Sequence, residues 1–288
     1  SSWPDDNVSP VKVSRALFLL LLTGCAAPEA PGERIRVAVS VAPQAEIVRR
    51  IGGDRVTVDS LVAPGASDED LSLSPRKALA LERIDLYVKV GHPAFAIEAR
   101  YIDPFLARHP EIRVVDMSRG MNLILDDHGH EGGDPHVWVA PQTVAVAARN
   151  IAAALSGIDP PHAAEYGSNL ERFLRDVDRL DSEIRARLHG GRRAFLVYHP
   201  SWGYFARQYG LEQIAIEAEG KEPGAVRLIG VIERAQREGA KVVLVPYPRE
   251  SAQVLAEAIG GRTVTADPQS ADWEETLLRV AGALGGKS

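Results

Sequence analysis

Two histidines lie in settings that suit metal coordination. His136 belongs to the segment 134–138, Asp-Pro-His-Val-Trp, and His199 follows the apolar run 194–198 and precedes Pro200. A neighbouring proline restricts the backbone and so helps to hold an imidazole at a fixed angle, and neutral imidazole is a ligand of zinc and other transition metals. Each histidine also has a purely structural interpretation: His136 as a core residue beside a buried tryptophan, and His199 as a strand-end residue bonded to the backbone.

A second group of candidate ligands lies in the acidic, glycine-rich segment 126–134. Asp127, His128 and His130 belong to it. Because deprotonated carboxylates and neutral imidazoles bind divalent cations, this segment could attract metal ions loosely. A solvated acidic loop without such a role explains the same composition.

The composition restricts which ligands and partners are available. The chain of 288 residues has one cysteine, Cys25, so it can form no internal disulfide and no zinc site built from cysteines. A bound metal must therefore rely on histidines and carboxylates. Lys and Arg number 33 against 39 Asp and Glu, a net charge of -6, and no basic run forms a local patch. Nucleic acid is therefore not an expected partner.

Residues 1–33 predict a signal peptide followed by a tether. Lys12 and Arg15 precede the apolar run 16–22, which is far shorter than the roughly 20 residues that span a bilayer. Residues 22–25, Leu-Thr-Gly-Cys, resemble the lipobox of bacterial lipoproteins, in which the cysteine becomes the acylated N-terminus. We therefore expect Cys25 to carry lipid that anchors the protein to the outer side of the bacterial membrane.

Short β-branched runs alternate with helical patterns along the rest of the chain and predict eight strands in two sets. The first set is 35–41, 56–62, 86–90 and 112–115, and the second is 194–198, 213–216, 242–245 and 263–265. Runs that are almost continuously apolar are typical of strands covered on both faces, as in parallel α/β sheets. The sequence therefore predicts two four-stranded α/β lobes.

One long amphipathic helix is predicted between the two sets of strands. Apolar residues recur at spacings of three and four from residue 166 to residue 188, Asp159 can act as the N-cap, and glycines follow at 190–191. The predicted organisation is an N-terminal lobe at 34–158, a linking helix at 159–190 and a C-terminal lobe at 191–288. A single stiff helix would limit how far the lobes can close.

Three segments, taken in order, resemble the metal-binding solute receptors of bacterial ABC importers, the cluster A-I family that carries zinc or manganese. They are 63–66 (Ala-Pro-Gly-Ala), 134–138 and 199–207 (His-Pro-Ser-Trp-Gly-Tyr-Phe-Ala-Arg). The resemblance extends over residues 35–284 and includes the long helix and the segment 267–273. It implies two lobes joined by one rigid helix, with the metal held between them.

The resemblance also implies a set of metal ligands. It makes His136 the imidazole ligand of the N-terminal lobe, His199 the imidazole of the C-terminal lobe and Asp267 the carboxylate of the C-terminal lobe. Family members usually carry a further histidine shortly after the Pro-Gly turn, where this chain has Glu69. Glu69 is the first choice for the fourth ligand, His92 is a substitute, and water in an incomplete site is the third alternative.

The function implied by the resemblance is that of an extracytoplasmic, lipid-anchored and monomeric receptor. It would capture a divalent transition metal and deliver it to an ABC permease, without catalysing a reaction. Zinc is favoured because such sites generally bind zinc more tightly than manganese. Manganese and iron are the alternatives, because two carboxylates make the ligand set harder.

Two other functions stay open at this point. A metallohydrolase would hold the ion with His136, His199 and Asp267 and use Glu69 as general base, although no His-Glu-x-x-His motif is present. A receptor of the same architecture could instead bind a different cargo, such as a chelated metal, or act as a surface adhesin.

Overall fold

The computed structural model describes residues 34–62, 75–125, 132–217 and 224–285. All of these residues lie in one compact unit, Glu33–Ser288. Within these ranges, no helix is both long and apolar enough to cross a membrane.

The chain forms two sheets, each with four parallel strands. The first sheet contains β1 (Ile35–Val39), β2 (Val56–Ser60), β3 (Leu86–Lys89) and β4 (Arg113–Asp116), and the second contains β5 (Ala194–Val197), β6 (Glu212–Ala215), β7 (Val242–Val245) and β8 (Arg262–Thr265). The strand order is β2-β1-β3-β4 in the first sheet and β6-β5-β7-β8 in the second. The predicted fold class is confirmed, and each strand ends within two residues of its predicted position.

Helices connect the strands and cover the sheets. They are α1 (Ala42–Gly52), α2 (Pro75–Leu81), α3 (Asp103–Leu106), α4 (Pro141–Ile158), α5 (Ala163–Leu188), α6 (Gly203–Tyr209), α7 (Ala225–Arg237), α8 (Glu250–Ala258) and α9 (Trp273–Leu284). Covered sheets explain the apolar strands, because β5 and β7 are buried along their whole length. In both sheets the segments that follow the carboxyl ends of the strands carry the candidate ligands, which is the usual edge for a ligand site in α/β proteins.

The long helix α5 has 26 residues and is therefore about 39 Å long. It begins at Ala163, after a 3-10 turn at Pro160–His162, and the prediction that Asp159 caps it is wrong. Pro160 and Pro161 have no N–H, and the N–H of His162 bonds the backbone carbonyl oxygen of Asp159 at 3.1 Å rather than its side chain. The Asp159 carboxylate instead accepts hydrogen bonds from the His162 ring, at 2.7 Å, and from the Tyr166 hydroxyl, at 2.6 Å.

One apolar core extends along α5 and joins the two sheets. Phe173, Val177, Leu180 and Ile184 of this helix belong to the same buried cluster as residues of β1, β3, β5 and β7. A second, smaller cluster covers the other face of the second sheet. The shared core limits independent movement of the lobes, whose predicted boundaries at 158–159 and 190–191 stay a prediction.

Arg50 of α1 reinforces this arrangement on the polar side of α5. Its guanidinium group bonds Asp176 of α5 and Glu274 of α9, and it lies 4.7 Å from the centroid of the Phe173 ring. One side chain of the first lobe is therefore bound both to the long helix and to the last helix of the second lobe. These partly buried contacts brace the junction between the lobes.

Candidate metal centre

His136 lies in a tight, buried segment between β4 and α4. The backbone of Asp134 forms an isolated bridge with Ile124, and a 3-10 turn follows at Val137–Val139. The His136 ring is 1 % exposed, and its Nδ1 lies 2.7 Å from Oδ1 of Asp134, whose side chain is fully buried. The same oxygen accepts the His136 backbone N–H at 2.8 Å. Because Nδ1 donates to this carboxylate, Nε2 is the nitrogen that carries the lone pair for a metal.

His199 follows β5 and has a carboxylate partner of its own. Its Nδ1 lies 3.3 Å from Oε2 of Glu217, which follows the neighbouring strand β6. The other oxygen of Glu217 lies 3.9 Å from the Arg249 guanidinium group, which also packs over the Tyr198 ring at 4.2 Å. Both histidines therefore have a carboxylate at Nδ1, the arrangement that orients metal-binding imidazoles in proteins.

The two histidines come from different sheets and meet at one place. Their ring centroids are 5.5 Å apart and the ring planes are inclined by 75°. Two imidazoles that bind one tetrahedral zinc ion, with Zn–N bonds of about 2.0–2.1 Å, have centroids roughly 5 Å apart. The observed separation of the two rings is close to that value, as binding of one shared ion requires.

The segment that carries Asp267 is bonded to the segment that carries His136. The indole N–H of Trp138 donates to the carbonyl oxygen of Pro268 at 2.8 Å. The Asp267 carboxylate is itself oriented by the Gln269 backbone N–H, at 2.9 Å from Oδ1. The bond between Trp138 and Pro268 thus fixes the position of the third predicted ligand segment relative to the first.

His92, the substitute for the fourth ligand, has both ring nitrogens engaged by the backbone. Nδ1 accepts the Ala94 N–H at 3.1 Å, and Nε2 lies 3.2 Å from the carbonyl oxygen of Ile124. This pattern requires neutral imidazole with the proton on Nε2, and burial lowers the pKa of His92 accordingly. To bind a metal, His92 would first have to give up one of these bonds.

Other predicted residues fall outside the described part of the chain. They are Glu69, the first choice for the fourth ligand, the loop residues Asp127, His128 and His130, and the lipidation candidate Cys25. Among the residues that the structure does describe, no group of three or more His, Cys, Asp or Glu side chains is arranged to hold a metal ion. The described part of the centre is therefore the pair His136 and His199 with the carboxylates that orient them.

The two orienting carboxylates were not predicted from the sequence. Asp134 lies within the recognised motif, but its local sequence does not reveal that it binds the ring of His136. Nothing around Glu217 marks it at all. The signal that could have found it is topological: β6 pairs with β5 in parallel, so residues just after these strands share one edge of the sheet.

Comparison with known proteins gives the same family as the sequence motifs. Residues 37–279 match the family model described as zinc-uptake complex component A, periplasmic (ZnuA). The chain is 25 % identical over 280 residues to a putative metal-binding protein of Chlamydia trachomatis serovar D, covering 94 % of this chain and 99 % of the relative. It is 24 % identical over 277 residues to the high-affinity zinc uptake system protein ZnuA of Bacillus subtilis, covering 86 % of this chain and 84 % of the relative.

A solved structure supports the assignment at the level of the fold and the sequence. The zinc-bound crystal structure of a ZnuA variant lacking residues 138–173 of its own chain superposes with a TM-score of 0.81 and 31 % identity, covering 89 % of this chain and all of the other. The family match covers most of the chain, and the resemblance found in the sequence motifs is confirmed. The chain belongs to the ZnuA family of metal-binding, substrate-binding proteins.

Proposed function

We propose that this protein captures a divalent transition metal, zinc in the first place, between its two lobes and delivers it to an ABC permease. Members of its family are solute-binding proteins of metal transport and not enzymes, so the metallohydrolase alternative is dropped. The observation that carries the proposal is the convergence of His136 and His199, from different sheets, with a carboxylate at each Nδ1.

The proposed ligands are the Nε2 atoms of His136 and His199 together with the carboxylates of Asp267 and Glu69. The bond from Trp138 to Pro268 supports the inclusion of Asp267, because it holds the neighbouring segment against that of His136. Glu69 is preferred to His92, since both ring nitrogens of His92 are bonded to the backbone. Two anionic ligands would neutralise the charge of a divalent ion in a site that excludes water.

Zinc is the preferred ion for two reasons. Two imidazoles with two carboxylates suit a four-coordinate zinc site, and affinities of such sites for divalent metals generally favour zinc over manganese and iron. Manganese and iron are the alternatives, because oxygen ligands narrow that preference.

The proposed setting is outside the cytoplasm, in agreement with the periplasmic description of the family. The proposal includes a lipid anchor at Cys25, a monomeric receptor and one permease as partner. The segment 126–134, with Asp127, His128 and His130, would attract metal ions for the site. Release would follow when the permease separates the lobes, because each lobe supplies only part of the ligands.

Metal analysis of purified protein tests the proposal. The parent chain and the variants His136→Ala and His199→Ala are stripped of metal, loaded with equimolar zinc and manganese, dialysed and analysed for both elements. His189→Ala is the matched control, because His189 is exposed at the end of α5. We expect one equivalent of zinc in the parent and in the control, and loss of metal from the other two variants. Equal metal content in all four proteins would overturn the proposal.

A further inference from the structure

We propose that Asp134 couples closure of the two lobes to the metal-binding form of His136. The proposal rests on the proposed function, since it concerns the same metal centre. Oδ1 of Asp134 lies 2.7 Å from Nδ1 of His136, and Oδ2 accepts the backbone N–H of Gly203 at 3.0 Å. One carboxylate thus binds a ligand of the first lobe and the backbone of the second.

The partner on the second lobe belongs to the segment that carries the other imidazole. Gly203 is the first residue of α6, the helix that follows His199. A movement of this segment away from the first lobe would break the bond to Oδ2. The bond from Gly203 to Asp134 therefore forms only when the segment that carries His199 lies against the first lobe, and the same carboxylate orients the ring of His136.

The bonds from His136 and Gly203 each require an acceptor on the Asp134 side chain. The two N–H groups of His136 share Oδ1, and the N–H of Gly203 is bonded to Oδ2. A carboxylate offers acceptors on both sides, whereas an amide at this position has one acceptor and one donor. If the donor faced Gly203, the bond between the lobes would be lost. If it faced His136, the ring proton would have to move to Nε2, which could then no longer bind a metal.

The contact with Gly203 leaves no room for a side chain. A Cβ at position 203 would lie 2.4 Å from Oδ2 of Asp134, which is closer than such atoms approach in proteins. Gly203 is not among the glycines with positive φ, so its backbone conformation is open to other residues. The unfavourable effect of Gly203→Ala therefore arises mainly from the steric clash with the Asp134 carboxylate. The methyl group would push Asp134 or the helix α6 away.

Other bonds between the lobes should keep such variants folded. The Trp138 indole donates to the carbonyl of Pro268, and the backbone N–H of Ile124 donates to the hydroxyl of Tyr204 at 3.0 Å. Neither bond involves Asp134 or Gly203. The effect of changing Asp134 can thus be separated from general unfolding.

The test uses the full chain with Asp134→Asn, Gly203→Ala and both changes together. Gly157→Ala is the matched control, because a Cβ there meets no atom within 4 Å. Zinc affinity is measured by competition with a chelator, and the ring proton of His136 is located by ¹⁵N NMR of the metal-free protein. We expect each single variant to lose about 10- to 100-fold in affinity, the usual effect of changing a residue that orients a metal ligand. The control should bind like the parent.

Two further readouts distinguish positioning from general damage. In Asp134→Asn the signal of the Nδ1-protonated ring should decrease in favour of the Nε2-protonated form. The loss of binding free energy in the double variant should be smaller than the sum of the losses in the two single variants, because both changes act on one contact. Parent-like affinity and an unchanged ring proton in both single variants would overturn the proposal. If the parent binds no metal, the proposed function fails, and the ring proton measured without metal still decides the role of Asp134.

Discussion

The carboxylate of Glu217 should raise the metal affinity of His199, and replacing it by glutamine isolates this effect. Glutamine keeps the shape of the side chain and can still accept from Nδ1, but it removes the negative charge that makes the imidazole a stronger ligand. It also leaves the cation of Arg249 without the carboxylate that lies 3.9 Å away. That positive charge would then act against a bound cation.

The size of the effect follows from the geometry of the pair. Changing a residue that orients a metal ligand usually costs about 10- to 100-fold in affinity. The bond from His199 to Glu217 is 3.3 Å long and its histidine is 22 % exposed, whereas the bond from His136 to Asp134 is 2.7 Å long and its histidine is 1 % exposed. A longer and more solvated hydrogen bond gives the carboxylate a smaller effect on the metal affinity of the imidazole. We therefore expect Glu217→Gln to weaken zinc binding about tenfold, which corresponds to about 1.4 kcal/mol.

Chelator competition at fixed pH and ionic strength measures this loss. Glu212→Gln is the matched control, because Glu212 lies on the same strand β6 but forms an ion pair with Arg234 and is 39 % exposed. The control should bind zinc as tightly as the parent. Unchanged affinity in Glu217→Gln, or an equal loss in the control, would refute the role assigned to the His199 and Glu217 pair.

Three more predictions follow from the described contacts. Arg50→Ala should lower the free energy of unfolding in urea by about 1–2 kcal/mol, because it removes partly buried bonds to Asp176 and Glu274. Arg279→Ala, at an exposed ion pair, should lower it by less than about 0.5 kcal/mol. Equal losses in the two variants would contradict the stabilising role of Arg50 at the junction between the lobes. Zinc affinity should fall in acid, because an imidazole must be neutral to bind a metal, and a flat profile between about pH 7 and pH 5 by chelator competition would contradict this. The pKa of His92 is lowered in the folded state, so in acid the unfolded chain binds more protons than the folded protein. The free energy of unfolding of the metal-free protein should therefore decrease below about pH 6.5, and it should decrease less in His92→Gln. Urea titrations at several pH values measure this difference.

The strands and the candidate histidines could be predicted from the sequence because their signals are local. The run 242–245 is wholly apolar, and His199 directly follows another such run. The role of Glu217 becomes visible only through the pairing of β6 with β5, and that of Gly203 only through a contact with a segment distant in the chain, so the local sequence reveals neither. Asp159 illustrates a local rule that fails: the residue type favours a cap, but Pro160 and Pro161 have no N–H, and the N–H of His162 bonds the Asp159 backbone carbonyl instead of its side chain.

The central claim is that His136 and His199 bind one metal ion together. Their ring centroids are 5.5 Å apart. A crystal structure of the zinc-loaded protein, with anomalous data collected on both sides of the zinc edge, tests it most directly. We expect one strong anomalous peak about 2.0–2.1 Å from Nε2 of both histidines. A zinc peak bound elsewhere, or bound to only one of these two rings, would contradict the account.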